Sequence, residues 1–204
     1  MKSINKSALL FLGILLSLSY ETTVIGAGFQ LQERSTRGMG RAFSGEAAIA
    51  DDASVIASNP AGMILLDDNS FSASLTYINP DYNVSGNALS TESINDNNIA
   101  PGVFVPNFYF SKKFSEKIVF GLGTFTSYGL KTNYSDTFSD KAITNFSSLE
   151  TINFNPSIAY RINKHWSVGA GFNALYAKKG KITGNLPSST PDNFSVKGDD
   201  WGFG

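Results

Sequence analysis

Residues 149–162 read Leu149-Glu150-Thr151-Ile152-Asn153-Phe154-Asn155-Pro156-Ser157-Ile158-Ala159-Tyr160-Arg161-Ile162. In an extended chain, Ile152, Phe154, Ile158, Tyr160 and Ile162 fall on one face, and Thr151, Asn153, Asn155, Ser157 and Arg161 on the other. A period of two that sets aliphatic and aromatic groups against amides and hydroxyls predicts a strand between two unlike environments. The same rule holds upstream and downstream. Phe71, Ala73, Leu75 and Tyr77 alternate with Ser70, Ser72, Ser74 and Thr76. Phe104, Pro106, Phe108 and Phe110 alternate with Val105, Asn107, Tyr109 and Ser111, and Pro106 predicts an irregularity because it lacks a ladder donor. Ile118, Phe120 and Leu122 oppose Val119, Gly121 and Gly123, and the strand runs on to Leu130 through a glycine- and hydroxyl-rich bend. Residues 166–178 place Val168, Ala170, Phe172, Ala174 and Tyr176 opposite Ser167, Gly169, Gly171 and Asn173.

The connections between these strands alternate in length. Residues 79–102, 131–148 and 179–198 are long and polar, whereas 113–117 and 163–165 are tight turns. A soluble sandwich also alternates its faces, but it has no need of this loop asymmetry. An up-and-down barrel in an outer membrane does, with long loops outside and short turns in the periplasm. Tyr160, Trp166 and Tyr176 are placed near strand ends, where interfacial aromatics lie. The chain of 204 residues carries Lys+Arg 16 against Asp+Glu 17, so no broad field points to nucleic acid. Only 16% of residues are charged, and Cys 0 excludes disulfides and thiolate chemistry.

Residues 1–26 have a basic start at Lys2 and Lys6, an apolar run from Ala8 to Leu18 and a small residue at Gly26. This is the layout of a secretory signal peptide, with cleavage predicted after Gly26. Between it and the first strand, residues 27–69 fit neither helical nor strand periodicity. Gly38, Gly40, Gly45 and Gly62 permit turns, while Asp51, Asp52, Ser58 and Asn59 can hydrogen-bond their own backbone. By itself the stretch reads as a surface linker or as a plug satisfied inside a larger cavity. The barrel strands that follow favour the plug. Residues 199–204 begin a sixth strand, with Trp201 and Phe203 on one side. An open edge in a bilayer leaves backbone groups unpaired, so residues 70–204 are expected to be the first part of a barrel completed by further chain or by other chains.

Ala27-Gly28-Phe29-Gln30-Leu31, Gly38-Met39-Gly40-Arg41-Ala42-Phe43-Ser44-Gly45-Glu46, Ala50-Asp51-Asp52-Ala53 and Asn59-Pro60-Ala61 resemble the start of the FadL-type outer-membrane transporters of long-chain fatty acids. The resemblance continues through Tyr77-Ile78-Asn79-Pro80-Asp81, Asn98-Ile99-Ala100-Pro101, Val105-Pro106-Asn107, Tyr128-Gly129-Leu130 and Gly171-Phe172-Asn173-Ala174-Leu175-Tyr176-Ala177. It implies an all-β fold: a transmembrane antiparallel β-barrel of roughly fourteen strands, plugged by an N-terminal hatch, in the bacterial outer membrane. By position it assigns Phe29, Leu31, Asn59, Pro60 and Ala61 to the ligand-facing hatch, with Asn59-Pro60-Ala61 beside an inward kink of the third strand. Ser127, Tyr128 and Gly129 match that kink, taken as a lateral gate. Captured ligand would shift the hatch and leave sideways into the membrane. The implied partners are a long-chain fatty acid or another hydrophobic molecule and outer-membrane lipid; the full-length form is expected to be a monomer, with no cofactor.

One departure concerns charge. Gly184 stands where the family pattern suggests a basic residue near the ligand carboxylate. Lys178, Lys179 and Lys181 are candidate substitutes, and solvated loop charges are the other reading. Aromatic hydrocarbons, carried by relatives of the family, are the alternative cargo. A lipid hydrolase would need a nucleophile and base in reach of one another, but the sole histidine, His165, falls in a tight turn without a nucleophile elbow. An adhesin barrel would explain the outer loops and leave the hatch without a reason. Asp51-Asp52 and Asp199-Asp200 lack the spaced oxygen ligands of a calcium loop, so no metal site is expected.

Overall fold

The computed structural model describes residues 29–87, 93–135, 145–185 and 193–204; the expected signal peptide, residues 1–26, lies outside them. Three short turns open the described chain, each started by a polar cap. Ser35 Oγ accepts from Gly38 N (3.1 Å) ahead of helix α1 (Thr36–Gly40). Asp52 Oδ1 accepts from Ser54 N (2.8 Å) at the start of the 3-10 turn η1 (Ala53–Ala57). Asn59 Oδ1 accepts from Ala61 N (3.2 Å) ahead of η2 (Pro60–Leu65), whose first position is the proline. Small polar residues favour such caps because they satisfy donors that the first turn leaves free.

The strands follow as β1 (Asn69–Ile78), β2 (Val84–Asn87), β3 (Ser93–Asp96), β4 (Val103–Ser115), β5 (Ile118–Phe125), β6 (Gly129–Asn133), β7 (Phe146–Arg161), β8 (Ser167–Gly171), β9 (Ala174–Asn185) and β10 (Asn193–Phe203). Eight of them form one antiparallel sheet in the order β1-β4-β5-β7-β9-β10, with β6 and β8 also paired to β7; β2 and β3 make a separate hairpin within the first long connection. Since β5 with β6 and β8 with β9 are each one pass broken once, the wall is an up-and-down meander. The tight turns stand where they were expected. Ser115 Oγ accepts from Lys117 N and Ile118 N (3.3 and 3.2 Å), and Asn163 Oδ1 accepts from His165 N and Trp166 N (2.8 and 3.0 Å).

Three sequence expectations change in detail. The third connection is not a loop over residues 179–198: β9 and β10 pair from Asn185↔Asn193 to Lys181↔Lys197. A strand of 16 residues such as β7 reaches about 50 Å at about 3.3 Å per residue. The hydrocarbon layer is only about 30 Å thick, so the outer ends of the pass run in water and polar side chains suit them. The fifth pass breaks at Phe172-Asn173, which the alternation does not reveal. Pro106, by contrast, leaves β4 continuous and pairs with Leu75 in register.

Outward residues are apolar and exposed, Phe71 at 68% and Leu75 at 64% among them, as befits a surface meeting lipid. Inward residues are polar except where the segment before β1 packs on them, so the lumen face is not uniformly polar as the alternation alone implies. There Val55, Ile56, Met63 and Ile64 form one buried core with Tyr109, Val119, Phe125 and Ala159 of the wall. Met63 and Ile56 are 0% and 1% exposed. Gly121 makes this possible, since a Cβ there would lie 2.4 Å from Met63 Sδ. The segment before β1, called the plug below, therefore lies against the inward face of the wall with an apolar underside.

Candidate functional site

The third pass is interrupted at residues 126–128, and the backbone groups freed there are taken up one by one. Leu31 N donates to Ser127 O (2.9 Å) and Gly129 N donates to Phe29 O (3.1 Å), so the N-terminal end of the plug pairs with the break. Gln30 bridges Tyr128 in the antiparallel sense. Thr151 Oγ1 accepts from Tyr128 N (2.9 Å) and donates to Tyr128 O (2.8 Å), while Asn107 Oδ1 accepts from Thr126 N (3.4 Å). Asn153 Nδ2 donates to Ser127 Oγ. A broken ladder survives only where its donors and acceptors find such partners.

The break leaves an opening in the wall. The β4–β5 ladder starts at Phe108↔Thr124, and β6 pairs only with β7 among the described residues. Among the described residues, the part of β4 from Val103 to Asn107 thus has β1 on one side and no strand on the other. Pro106 lies in this part. A residue without a donor disturbs the ladder least at an edge, which accounts for a proline inside an otherwise continuous strand. On the inner side, a cleft of about 320 Å³ is bounded by Ser127, Tyr128, Asn153, Asn173, Leu175 and Phe203.

Phe29, Leu31, Ser127, Tyr128 and Gly129 therefore come together, with Leu31 Cδ1 lying 3.1 Å from the position a Cβ would take on Gly129. Asn59, Pro60 and Ala61 do not join them. They sit on β8, where Ser167 Oγ donates to Ala61 O (3.3 Å) and a Cβ on Gly169 would fall 2.3 Å from Ala61 N. Arg161 Nη2 fixes the following turn through Ile64 O (2.8 Å). The expectation that Asn59-Pro60-Ala61 stands beside the kink is thus corrected: the glycine in β8 admits the backbone of this turn, and the underside core holds it there.

The lysines separate as well. Lys178 stands opposite Glu150 and is exposed, whereas Lys181 Nζ lies 4.9 Å from the centre of the Phe146 ring. The side chain of Lys179 lies outside the described residues. Tyr176 is not at a strand end but just past the break in the fifth pass, where its ring meets Trp201 at 4.8 Å and its hydroxyl meets Asp199 Oδ2 at 3.2 Å. His165 is exposed in its turn.

Asn107, Thr151 and Asn153, which satisfy the break, were legible only as inward polar residues. Their partners lie 19, 23 and 26 residues away, so no local signal marks them. Above the underside core, the plug is held by charge. Arg41 Nη1 pairs with Asp51 (2.6 Å), and Arg37 reaches both Asp51 and Asp52 (3.7 and 3.6 Å). Glu46 lies tucked against Gly38, and burial raises its pKa above the ordinary 4.5 while Arg34 and Arg41 oppose the rise.

The sequence matches the family described as outer membrane protein transport protein (OMPP1/FadL/TodX) over residues 17–203. A long-chain fatty acid transport protein of Shigella flexneri is 44% identical over 174 residues, covering 85% of this chain and 38% of the relative. Outer membrane protein P1 of Haemophilus influenzae is 39% identical over 184 residues, covering 82% of this chain and 40% of the relative. This chain therefore spans about two fifths of the length of these relatives. The crystal structure of a Pseudomonas aeruginosa FadL homologue shares the fold, with a TM-score of 0.61 and 20% identity over 87% of this chain and 48% of that one. The chain belongs to the OMPP1/FadL/TodX family of transport proteins and, as a β-barrel member of it, to the bacterial outer membrane.

Proposed function

We propose that this chain forms the plug and first wall of an outer-membrane channel for hydrophobic compounds, long-chain fatty acids in the first place. Ligand released from the inner cleft leaves sideways through the opening between β4 and β6. The observation that carries this reading is the pairing of Phe29 and Leu31 with the interrupted third pass. Those hydrogen bonds close the break, and moving the N-terminal end of the plug opens it without dismantling the wall. A fatty acid gains about 0.8 kcal/mol for each buried methylene, so a direct route from the inner cleft to the bilayer spares it transfer through water.

Residues 1–26 act as the export signal, residues 27–69 as the hatch and residues 70–204 as the opening strands of the barrel. The names of the 44% identical relatives support fatty acid as cargo. The test is saturable uptake and equilibrium binding of radiolabelled oleate and toluene by cells and purified protein expressed from the complete reading frame. Oleate uptake supports the reading, toluene preference moves the cargo to aromatic hydrocarbons, and failure with both overturns it. Asn59→Ala removes a cap and the Asn59 Nδ2 bond to Ala47 O (2.8 Å), a loss of about 1 kcal/mol. Uptake is expected to fall more than the amount of folded protein does.

A further inference from the structure

Among the described residues, every arginine but one has an ion-pair or side-chain hydrogen-bond partner. Arg37 and Arg41 pair with Asp51 and Asp52, and Arg161 donates to Ile64 O. Arg34 forms no ion pair among the described residues, although the Glu46 carboxylate is near enough to feel its charge, and its Nε is buried without a hydrogen-bond partner. Its guanidinium carbon lies 5.6 Å from the centre of the Phe125 ring, and Phe125 is the last residue before the break in the third pass. The backbone beneath it is fixed: Asn107 Nδ2 donates to Glu33 O (2.9 Å) and Tyr109 Oη to Arg34 O (3.1 Å). Tyr109 in turn stacks on Phe125 at 5.9 Å. The carboxylate of Glu33 is turned to Gln32 N instead (3.0 Å).

We infer that Arg34 receives the carboxylate head group of the hydrophobic ligand at the foot of the lateral opening. The inference rests on the transport reading for the ligand's route, and adds the residue that selects an acid over a neutral hydrocarbon. A guanidinium presents two parallel N–H donors that match a carboxylate. Burial without such a partner leaves donor capacity unused, and the face of Phe125 holds the group weakly hydrated and in place. Leu31, partly exposed three residues before Arg34, offers apolar surface for the start of the chain. Lys181 is already engaged with Phe146, and Lys178 sits at an exposed position opposite Glu150. Neither makes the same offer.

The test compares binding of oleate and methyl oleate to the detergent-solubilised full-length protein as wild type, Arg34→Gln and Arg34→Lys, with heat-modifiable gel mobility as the check on folding. Wild type is expected to prefer the acid. Arg34→Gln should weaken oleate by about tenfold or more, as loss of a charged hydrogen-bond pair does, and leave the ester unchanged; Arg34→Lys should fall between. If wild type binds oleate and folded Arg34→Gln binds it equally well, or if acid and ester weaken together, Arg34 is not the head-group contact. If wild type binds neither compound, the transport reading itself falls.

Discussion

The two ends of the plug are held by different forces. Around η1 and η2, buried Ile56 and Met63 share a core with the wall, and Gly169 lets the backbone of Ala61 lie directly on β8. From Phe29 to Ile49 no residue belongs to that core. That part is held by two backbone bonds at the break, single bonds from Asn107 and Tyr109 to the carbonyls of Glu33 and Arg34, ion pairs of Arg37 and Arg41, and a turn in which Ala42 and Phe43 both adopt positive φ (50° and 62°). Left-handed backbone costs an L residue about 1–2 kcal/mol, and exposed ion pairs return about 1 kcal/mol or less each. One end is an anchor and the other is a latch.

The sharpest way to break the comparison is to attack the anchor. Gly169→Ala places a methyl group within 2.3 Å of Ala61 N, a backbone atom that cannot swing aside. Loss of most of the heat-resistant folded form on gels is expected; a normally folded variant would show that the turn does not need this seat. Next in size, Met63→Ala opens a cavity in the shared core and should destabilise the folded protein by about 2–5 kcal/mol in denaturant titration, while amide exchange at Tyr128 stays unchanged relative to the unfolding baseline.

Thr151→Val tests the latch. It leaves Tyr128 N and O without their side-chain partner, a penalty of about 1–3 kcal/mol. Exchange at Tyr128 is expected to accelerate about tenfold or more, with little change around Met63. The smallest effect is in pH. Because burial raises the pKa of Glu46 above 4.5, its contribution to plug stability is fully present below that value and fades as pH rises through the raised one. Exchange of residues 38–50, corrected for intrinsic rates, should therefore quicken with pH across that window. Glu46→Gln should flatten the trend.

How much of this was legible beforehand differs from part to part. Alternation in residues 70–77, 103–112 and 149–162 located the strands and their faces, because a side-chain period of two is written into consecutive residues. Pro106 predicts an irregularity in its own strand; in the fold it marks instead the edge left by a neighbour that bends away. The sequence shows the plug as polar irregular backbone and does not reveal the core it makes. Val55, Ile56, Met63 and Ile64 are too few to form a core among themselves, and their partners Tyr109, Val119 and Ala159 stand on strands far along the chain.

By itself, the sequence determined the strand pattern, the inward and outward faces and the family, since each depends on local period or on ordered short motifs. Tertiary structure alone decided that Phe29 and Leu31 meet the break, that Asn59-Pro60-Ala61 rests on β8, and that Arg34 Nε is buried without a hydrogen-bond partner. The physical reason is common to all three. Hydrogen bonds, close backbone approach and charge pairing act over a few ångströms in space, between residues that the chain keeps tens of positions apart.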